Sequence, residues 1–188
     1  MKTADVDILI IPGWTNAGPE HWQTRWIKGL KTARRVEQTD WETPQIGDWV
    51  PNIVAAVEAA TRPVLLVAHS CGVSAVVHAA PLLPPGVVIG ALLVAAPDLD
   101  GLDIWPATHG GFAPVPTHRL PFSALLIAST TDPYCTIDRA TTFAADWGAT
   151  LINAGDVGHI NTASGHGPWP DGAMRLGTFL KQISTARA

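Results

Sequence analysis

The chain has 188 residues, 47% of them hydrophobic and 15% charged, which is enough core for one compact domain over residues 1–188 and requires no second. Its formal net charge of -4, without runs of Lys or Arg, argues against nucleic acid or an anionic membrane as the main partner. The sequence has two cysteines, Cys71 and Cys135, too few for a disulfide framework, and its N-terminal residues lack the apolar core of a signal peptide, so we expect a soluble cytoplasmic protein.

Apolar segments along the chain alternate between strand and helix character. Short apolar runs bounded by turn residues predict six strands, at residues 6–11, 34–38, 63–67, 88–95, 123–128 and 151–153. Apolar residues at helical spacing predict helices at about 20–30, around 49–57, at 73–80, at 137–147 and around 176–183. This alternation predicts an α/β fold, a three-layer sandwich with a mostly parallel sheet of about six strands.

The pentapeptide Ala68-His69-Ser70-Cys71-Gly72 directly follows the third predicted strand and precedes a helix of small residues. This is the setting of a nucleophile elbow, G-x-S-x-G, in which a strained turn lifts the serine hydroxyl clear of the sheet. Ala68 stands where the motif has its first glycine, and Gly72 keeps the second. Because a serine hydroxyl is too weakly acidic to attack unaided at neutral pH, a base and an orienting acid are expected elsewhere in the chain.

Two later strand ends carry suitable residues. Asp132 follows the strand at 123–128, and His159 follows the strand at 151–153. Both lie past the carboxyl ends of predicted parallel strands, where open α/β sheets gather their chemistry. The chain order Ser70, Asp132, His159 is that of α/β-hydrolases and differs from the orders in chymotrypsin and subtilisin.

Other residues compete with Asp132 and His159 for these roles. Asp98 follows the strand next to the elbow and is the main rival acid, with Asp100 and Asp156 as further candidates. His166 is the rival base, but its Gly- and Pro-rich surroundings favour a role in ordering a loop.

The remaining reactive groups are expected to be structural. His69, next to the serine, is expected to be buried beside the elbow, and Cys135 to be a packed thiol. The histidines and aspartates between residues 98 and 118 show no H-x-x-x-H or C-x-x-C spacing, so we expect no metal and no other cofactor.

Further motifs surround these residues, namely Pro12-Gly13-Trp14-Thr15-Asn16 followed by His21-Trp22, Gln38-Thr39-Asp40-Trp41, Asp132-Pro133-Tyr134-Cys135 and Gly158-His159-Ile160-Asn161. With them, nearly the whole chain resembles the small α/β-hydrolases typified by retinoblastoma-binding protein nine. The resemblance implies an α/β-hydrolase-like sandwich and a serine-hydrolase triad of Ser70, Asp132 and His159. Cys71 departs from related elbows, which commonly have a larger aliphatic residue at that position.

The oxyanion of an acyl-transfer intermediate is expected to be held by backbone N–H groups. Cys71, directly after the nucleophile, would supply one, and Trp14, in the loop after the first strand, the other. Thr15 lies next to Trp14 and is the second choice for that donor. Because these donors belong to the backbone, side-chain substitutions would alter fit more than they remove a hydrogen bond.

The substrate pocket is expected to draw on loops around the elbow. Thr15, Trp105 and Trp169 are the candidate substrate contacts, whereas the tryptophans at helical spacing are expected to pack in the core. The long segment 97–121 shows no periodicity and is expected to be a short cap loop that forms one wall of a fairly open pocket.

The sequence therefore predicts a serine hydrolase of carboxylesterase type that cleaves small ester, thioester or amide bonds through an acyl-enzyme. Its expected substrate is a small-molecule ester or a short peptide. Two alternatives stay open, a peptidase for small peptides and a catalytically weak α/β-hydrolase-fold module that binds a protein partner. The complete Ser-Asp-His order favours the enzyme, because a binding module needs none of the three.

Overall fold

The centre of the fold is a parallel sheet, seen in a computed structural model that describes residues 1–186. Within these residues six strands occur: β1 (Asp7–Ile11), β2 (Ala33–Arg35), β3 (Val64–His69), β4 (Val88–Val94), β5 (Ser123–Ala128) and β6 (Thr150–Asn153). Their order across the sheet is β2-β1-β3-β4-β5-β6, and every neighbouring pair is parallel.

Helices cover both faces of the sheet. In the described part of the chain they are α1 (Trp22–Gly29), α2 (Ile46–Glu58), α3 (Cys71–Ala79), the one-turn α4 (Trp105–Thr108), α5 (Ile137–Trp147) and α6 (Pro170–Ala186). Helices α1 and α6 pack on one face, and α2, α3 and α5 pack on the other. The predicted three-layer α/β sandwich is confirmed. No helix among residues 1–186 is both long and apolar enough to cross a membrane.

Strand β3 shows why the central strands are continuous apolar runs in the sequence. Leu65 and Val67 pack into the layer of α1 and α6, while Leu66 and Ala68 pack into the opposite layer. All four side chains are fully buried. A parallel strand that is covered on both faces needs apolar residues at consecutive positions rather than at alternate ones.

Tryptophans fill much of the core, as expected. Trp22 packs against Trp26 with ring centroids 4.8 Å apart on the α1 side of the sheet. On the other side Trp49 packs against Phe112 at 5.4 Å, and Trp147 is buried at the end of α5. These large apolar groups hold the helices against the sheet.

The second strand is shorter than the predicted 34–38 and begins one residue earlier. β2 pairs with Ile8 to Ile10 of β1, and the Val36 N–H adds one more bond to the Ile10 carbonyl, at 2.9 Å. Pro12 follows β1 and has no N–H to offer, so the ladder cannot continue. Gln38 instead turns its side chain toward Asn52, whose amide donates to it at 3.0 Å.

The segment 97–121 packs closely on the body of the fold. Its residue Phe112 is fully buried against Trp49 of α2. Asp98 and Asp100 both accept from Arg139 of α5, at 3.1 and 2.6 Å. The segment therefore has its own apolar anchor and its own ion pairs.

The strand order creates a crevice between β1 and β3. The chain leaves β1 for β2 on one side, whereas after β3 it proceeds through β4, β5 and β6 on the other. The loops that follow two such strands diverge and leave space outside their carboxyl ends. Residues 12–21 follow β1 and Ser70 follows β3, so both flank this crevice.

Asp7 ties β1 to the turn before β3. Its carboxylate is buried and accepts from the N–H groups of Thr61 and Arg62, at 2.9 and 3.2 Å, and from the Arg62 guanidinium at 3.0 Å. Burial alone would raise the pKa of Asp7, but these hydrogen bonds and the nearby Arg34 outweigh it and hold the pKa below its ordinary value.

The Asp7→Asn substitution should lower the free energy of unfolding at neutral pH by about 1–3 kcal/mol, because it removes charge-assisted hydrogen bonds. A lowered native pKa means that the stabilisation is complete above the ordinary pKa and is lost as pH falls through the native one. The difference between wild type and variant should therefore shrink in acid. Urea unfolding at several pH values measures this difference in unfolding free energy, with a substitution of an exposed carboxylate, Asp103→Asn, as control. A difference that does not change with pH would contradict the lowered pKa of Asp7.

Candidate active site

Ser70 occupies a strained turn between β3 and α3. Its backbone angles, φ 55° and ψ -131°, lie in a region that residues with a Cβ rarely adopt. The turn is fixed on both sides, because the Ser70 N–H donates to the Val94 carbonyl at 3.0 Å and the Val73 N–H donates to the Ser70 carbonyl at 2.8 Å. The geometry is that of a nucleophile elbow, with the hydroxyl presented at the crevice.

Two glycines allow the turn to approach the loop after β1. A Cβ on Gly72 would collide with the backbone carbonyls of Ile11 and Pro12, lying 2.5 Å from the Pro12 oxygen. A Cβ on Gly13 would lie 2.7 Å from the Ser70 Cβ. The two loops therefore meet backbone to backbone, and the glycine at each position is a steric requirement.

Three side chains from three strand ends form one hydrogen-bonded chain. The Nε2 of His159 lies 3.0 Å from the Ser70 Oγ. The Nδ1 of the same ring lies 2.9 Å from each carboxylate oxygen of Asp132. The structure thus brings together the three residues that the sequence singles out, in the order serine, imidazole, carboxylate.

Asp132 lies behind the histidine and is shielded from water. Its side chain is only 3% exposed, against 9% for His159. One of its carboxylate oxygens also accepts from the Tyr134 N–H, at 3.0 Å. The Tyr134 ring packs edge-on against the His159 ring, with centroids 4.6 Å apart. Carboxylate and imidazole are therefore held in a fixed relative orientation.

The loop that carries His159 is held by two buried side chains from other elements. The Nε2 of His69 lies 2.9 Å from the His159 carbonyl, and because a carbonyl can only accept, this nitrogen carries the proton. The Trp22 indole donates to the adjacent Ile160 carbonyl at 2.9 Å. Burial, followed by the neighbouring His159 and His21, holds the pKa of His69 well below its ordinary value, so the ring is neutral.

The rival residues have other partners. Asp98 and Asp100 are paired with Arg139. Asp156 accepts from the Thr131 hydroxyl at 2.6 Å, and the Nδ1 of His166 lies 3.2 Å from the Ser164 hydroxyl within its own loop.

Backbone N–H groups lie on both sides of the serine. The Cys71 N–H is the first in α3, where helical amides have no intrahelical acceptor. The Trp14 N–H lies against the Cys71 thiol, whereas the Thr15 N–H already donates to the Trp41 carbonyl at 2.9 Å. Since the Thr15 N–H is already used, Trp14 is the donor of this loop that remains for an oxyanion.

A cleft of about 460 Å³ opens above the serine. Its walls come from residues 13–16, Gly18 and His21 of the loop after β1, from the elbow, from Pro97 and Ile104 of the segment 97–121, from Tyr134, and from His159 and residues 161–163. Within the described part of the chain, no Asp, Glu, Lys or Arg side chain lines the cleft.

Two of the three expected substrate contacts lie elsewhere in the fold, while Thr15 lines the cleft. Trp105 stacks on His109 and donates to the Pro44 carbonyl at 3.3 Å. Trp169 is buried and stacks on Trp26, with centroids 5.9 Å apart. Both side chains pack against other parts of the fold instead of lining the cleft. Their loop positions in the sequence gave no sign of these contacts.

Sequence reasoning missed several cleft residues, among them His21, Tyr134 and Asn161. All three belong to the motifs that carry the family resemblance, and Tyr134 follows Asp132 by two positions. Their proximity to the predicted site residues was the available signal. Their side-chain directions depend on loop conformations that no periodicity encodes.

Comparisons with known proteins agree with this arrangement. A family model described as serine hydrolase matches residues 8–178, and the chain belongs to this family. The predicted resemblance to small serine hydrolases of the α/β-hydrolase type is confirmed, and the protein is a hydrolase. A comparison with curated proteins gives no significant match.

Solved structures share the fold. A Pectobacterium atrosepticum protein described as a YdeN-like hydrolase is 27% identical with a TM-score of 0.84, over 96% of this chain and 94% of that one. The Bacillus subtilis ydeN gene product is 20% identical with a TM-score of 0.70, over 95% and 98%. Est1E from Butyrivibrio proteoclasticus, with ferulic acid bound, is 14% identical with a TM-score of 0.64, over 83% and 81%. The likeness to the last two concerns the fold alone.

The Gly72→Ala substitution should destabilise the protein by about 3 kcal/mol or more, because the new methyl group meets backbone carbonyls that cannot move aside. Gly177→Ala is the matched control, since a Cβ at this position in α6 has nothing within 4 Å and should stabilise the helix by up to about 1 kcal/mol. Thermal unfolding compares the two variants. Equal melting temperatures would show that the elbow tolerates a Cβ.

Both cysteine thiols should be unreactive in the folded protein. Burial raises the pKa of Cys71 to about 11, and burial together with the Asp132 and Asp98 carboxylates raises the pKa of Cys135 to about 12. The thiolate is the reactive form, so a disulfide reagent at neutral pH should react with neither thiol until urea unfolds the chain. Rapid reaction of Cys71 in the native protein would overturn this and make the thiol a competing nucleophile.

Proposed function

We propose that the protein is a serine esterase of carboxylesterase type that hydrolyses small uncharged esters through an acyl-enzyme. The observation that carries the proposal is the hydrogen-bonded chain from Ser70 through His159 to Asp132, with contacts of 3.0 and 2.9 Å. Ser70 is the nucleophile, His159 the general base and acid, and Asp132 the group that orients the imidazole.

In the first half-reaction the Ser70 Oγ attacks the ester carbonyl while the Nε2 of His159 takes the hydroxyl proton. Asp132 accepts from the Nδ1–H, keeps the ring in the productive tautomer and stabilises the imidazolium that forms. The carbonyl oxygen gains negative charge and is held by the N–H groups of Cys71 and Trp14. His159 then gives its proton to the departing alcohol, which leaves an acyl group on Ser70.

In the second half-reaction a water molecule takes the place of the alcohol. His159 takes a proton from this water, which attacks the acyl carbon, and the same N–H groups again hold the oxyanion. The bond from the acyl carbon to the Ser70 Oγ breaks, and His159 returns the proton to the serine. The products are the free acid and the regenerated enzyme.

The lining of the cleft suits a small neutral substrate. The described residues place no Asp, Glu, Lys or Arg side chain in the cleft, so a charged group on a substrate would find no counter-charge there. A volume of about 460 Å³ is at the small end for ligand sites. The likeness in fold to Est1E, an esterase by name with an aromatic acid bound, is in keeping with an ester substrate.

A fluorophosphonate probe should label Ser70, as read by intact mass and peptide mapping. Labelling should disappear in Ser70→Ala, which has no nucleophile, and in His159→Ala, which has no base. It should fall by about 100-fold or more in Asp132→Asn, because that change disturbs the tautomer and leaves the imidazolium without its counter-charge. Hydrolysis of a p-nitrophenyl ester should follow the same order.

The control for the acid is Asp98→Asn, which removes the rival carboxylate and should retain most of the labelling. Circular dichroism on each variant separates loss of chemistry from loss of fold. A folded wild-type protein that takes up no probe would reject the esterase and favour the binding module. Labelling that survives Asp132→Asn but not Asp98→Asn would assign the acid to Asp98.

A further inference from the structure

His21 lies in the cleft in a fixed tautomeric state. It is the N-cap of α1, where its Nδ1 accepts from the Gln23 N–H at 3.2 Å. A nitrogen that accepts carries no proton, so the proton of the neutral ring is on Nε2. Burial first, and then the positive charges of His159 and Arg35, lower the pKa of His21 to about 4. Near neutral pH the ring is therefore an uncharged donor.

The Nε2–H of His21 has no acceptor among residues 1–186, although the residue is only 7% exposed. The ring lines the same cleft as Ser70. Its other neighbours are rings, with the Trp22 centroid at 5.4 Å and the His69 centroid at 5.0 Å. A donor in a cleft that has no protein partner gains the net free energy of one hydrogen bond when a ligand supplies an acceptor.

The loop that carries His21 also carries the proposed oxyanion donor Trp14. Trp14, seven residues earlier in that loop, holds the acyl oxygen in the proposed reaction. The leaving group must lie beside the Nε2 of His159, which protonates it. The His69 ring contacts both of the other histidine rings, with centroids 5.0 Å from His21 and 4.9 Å from His159. An acyl group that extends along the loop of Trp14 would therefore meet His21.

We propose that His21 is a specificity residue whose Nε2–H donates to an oxygen on the acyl group of the substrate. The inference rests on the proposed esterase activity and narrows it to a substrate class. The preferred acyl groups are short and uncharged, and carry an ether, hydroxyl or carbonyl oxygen beyond the scissile carbonyl. Plain alkyl acyl groups of the same size leave the donor without a partner.

A pair of isosteric esters tests the preference. The p-nitrophenyl esters of methoxyacetic and butyric acid differ by one ether oxygen in place of a methylene group. The ratio of their kcat/KM values also reflects the different chemical reactivity of the two esters. This contribution is the same in wild type and variant, so it cancels when the two ratios are compared. His21→Asn is the variant of choice, because its short amide oxygen can keep the cap on α1 while the Nε2–H is lost.

In His21→Asn the ratio of methoxyacetate to butyrate should fall about 3- to 10-fold relative to wild type, as expected for loss of one neutral hydrogen bond. His21→Gln, whose amide nitrogen reaches the former Nε2 position, should recover part of it. The wild-type ratio should be constant between about pH 6 and pH 8, because His21 does not titrate there. If His21 acted only as the cap of α1, the substitution would lower kcat/KM for both esters by the same factor.

Two controls separate the possible failures. The first is the fluorophosphonate reaction: absence of Ser70 labelling in the wild-type protein rejects the esterase itself. The second is a leaving-group pair, butyl and 2-methoxyethyl butyrate, whose ratio should be the same in wild type and His21→Asn. Labelled Ser70 with an unchanged acyl ratio, or a change confined to the leaving-group pair, overturns the role of His21.

Discussion

The close approach of two backbones, the loop after β1 and the turn after β3, is the constraint on which the site depends. A side chain on Gly72 would strike the carbonyls of Ile11 and Pro12, and one on Gly13 would strike Ser70. Only with both glycines in place can the strained serine turn face the N–H groups of the neighbouring loop. The strained backbone conformation of Ser70 is held in place by the sheet beneath it, where β1 and β3 pair along five residues.

The parallel sheet then brings the remaining groups to the same edge. Asp132 and His159 follow β5 and β6, and Ser70 follows β3, so all three lie beyond carboxyl ends of strands. Strand ends alone do not fix an imidazole within hydrogen-bond distance of a hydroxyl. That precision comes from buried donors, because His69 and Trp22 hold the carbonyls of His159 and Ile160 at 2.9 Å. The residue next to the serine thus supports the histidine through its backbone.

The sequence was sufficient for the parts of this arrangement that are encoded locally. Apolar runs located the strands, and the order Ser70, Asp132, His159 located the side chains that the structure brings together. The predicted end of the second strand is wrong because Pro12, which directly follows the neighbouring β1, has no N–H to continue the ladder. The loop position of Trp169 predicts a substrate contact, yet its ring stacks in the core against Trp26. Such errors arise where a contact joins residues far apart in the chain.

Three histidine rings follow one another at the site, with centroids 5.0 Å apart from His21 to His69 and 4.9 Å from His69 to His159. Only His159 has a carboxylate against its Nδ1. Burial lowers the pKa of the other two rings, and a positive charge on His159 lowers it further. In the proposed reaction, a proton taken from the serine would therefore have one stable position, on His159, the ring that would return it to the leaving group. The neutral rings are then free to serve as hydrogen-bond donors, His69 to the His159 carbonyl and His21, in its proposed role, to the substrate.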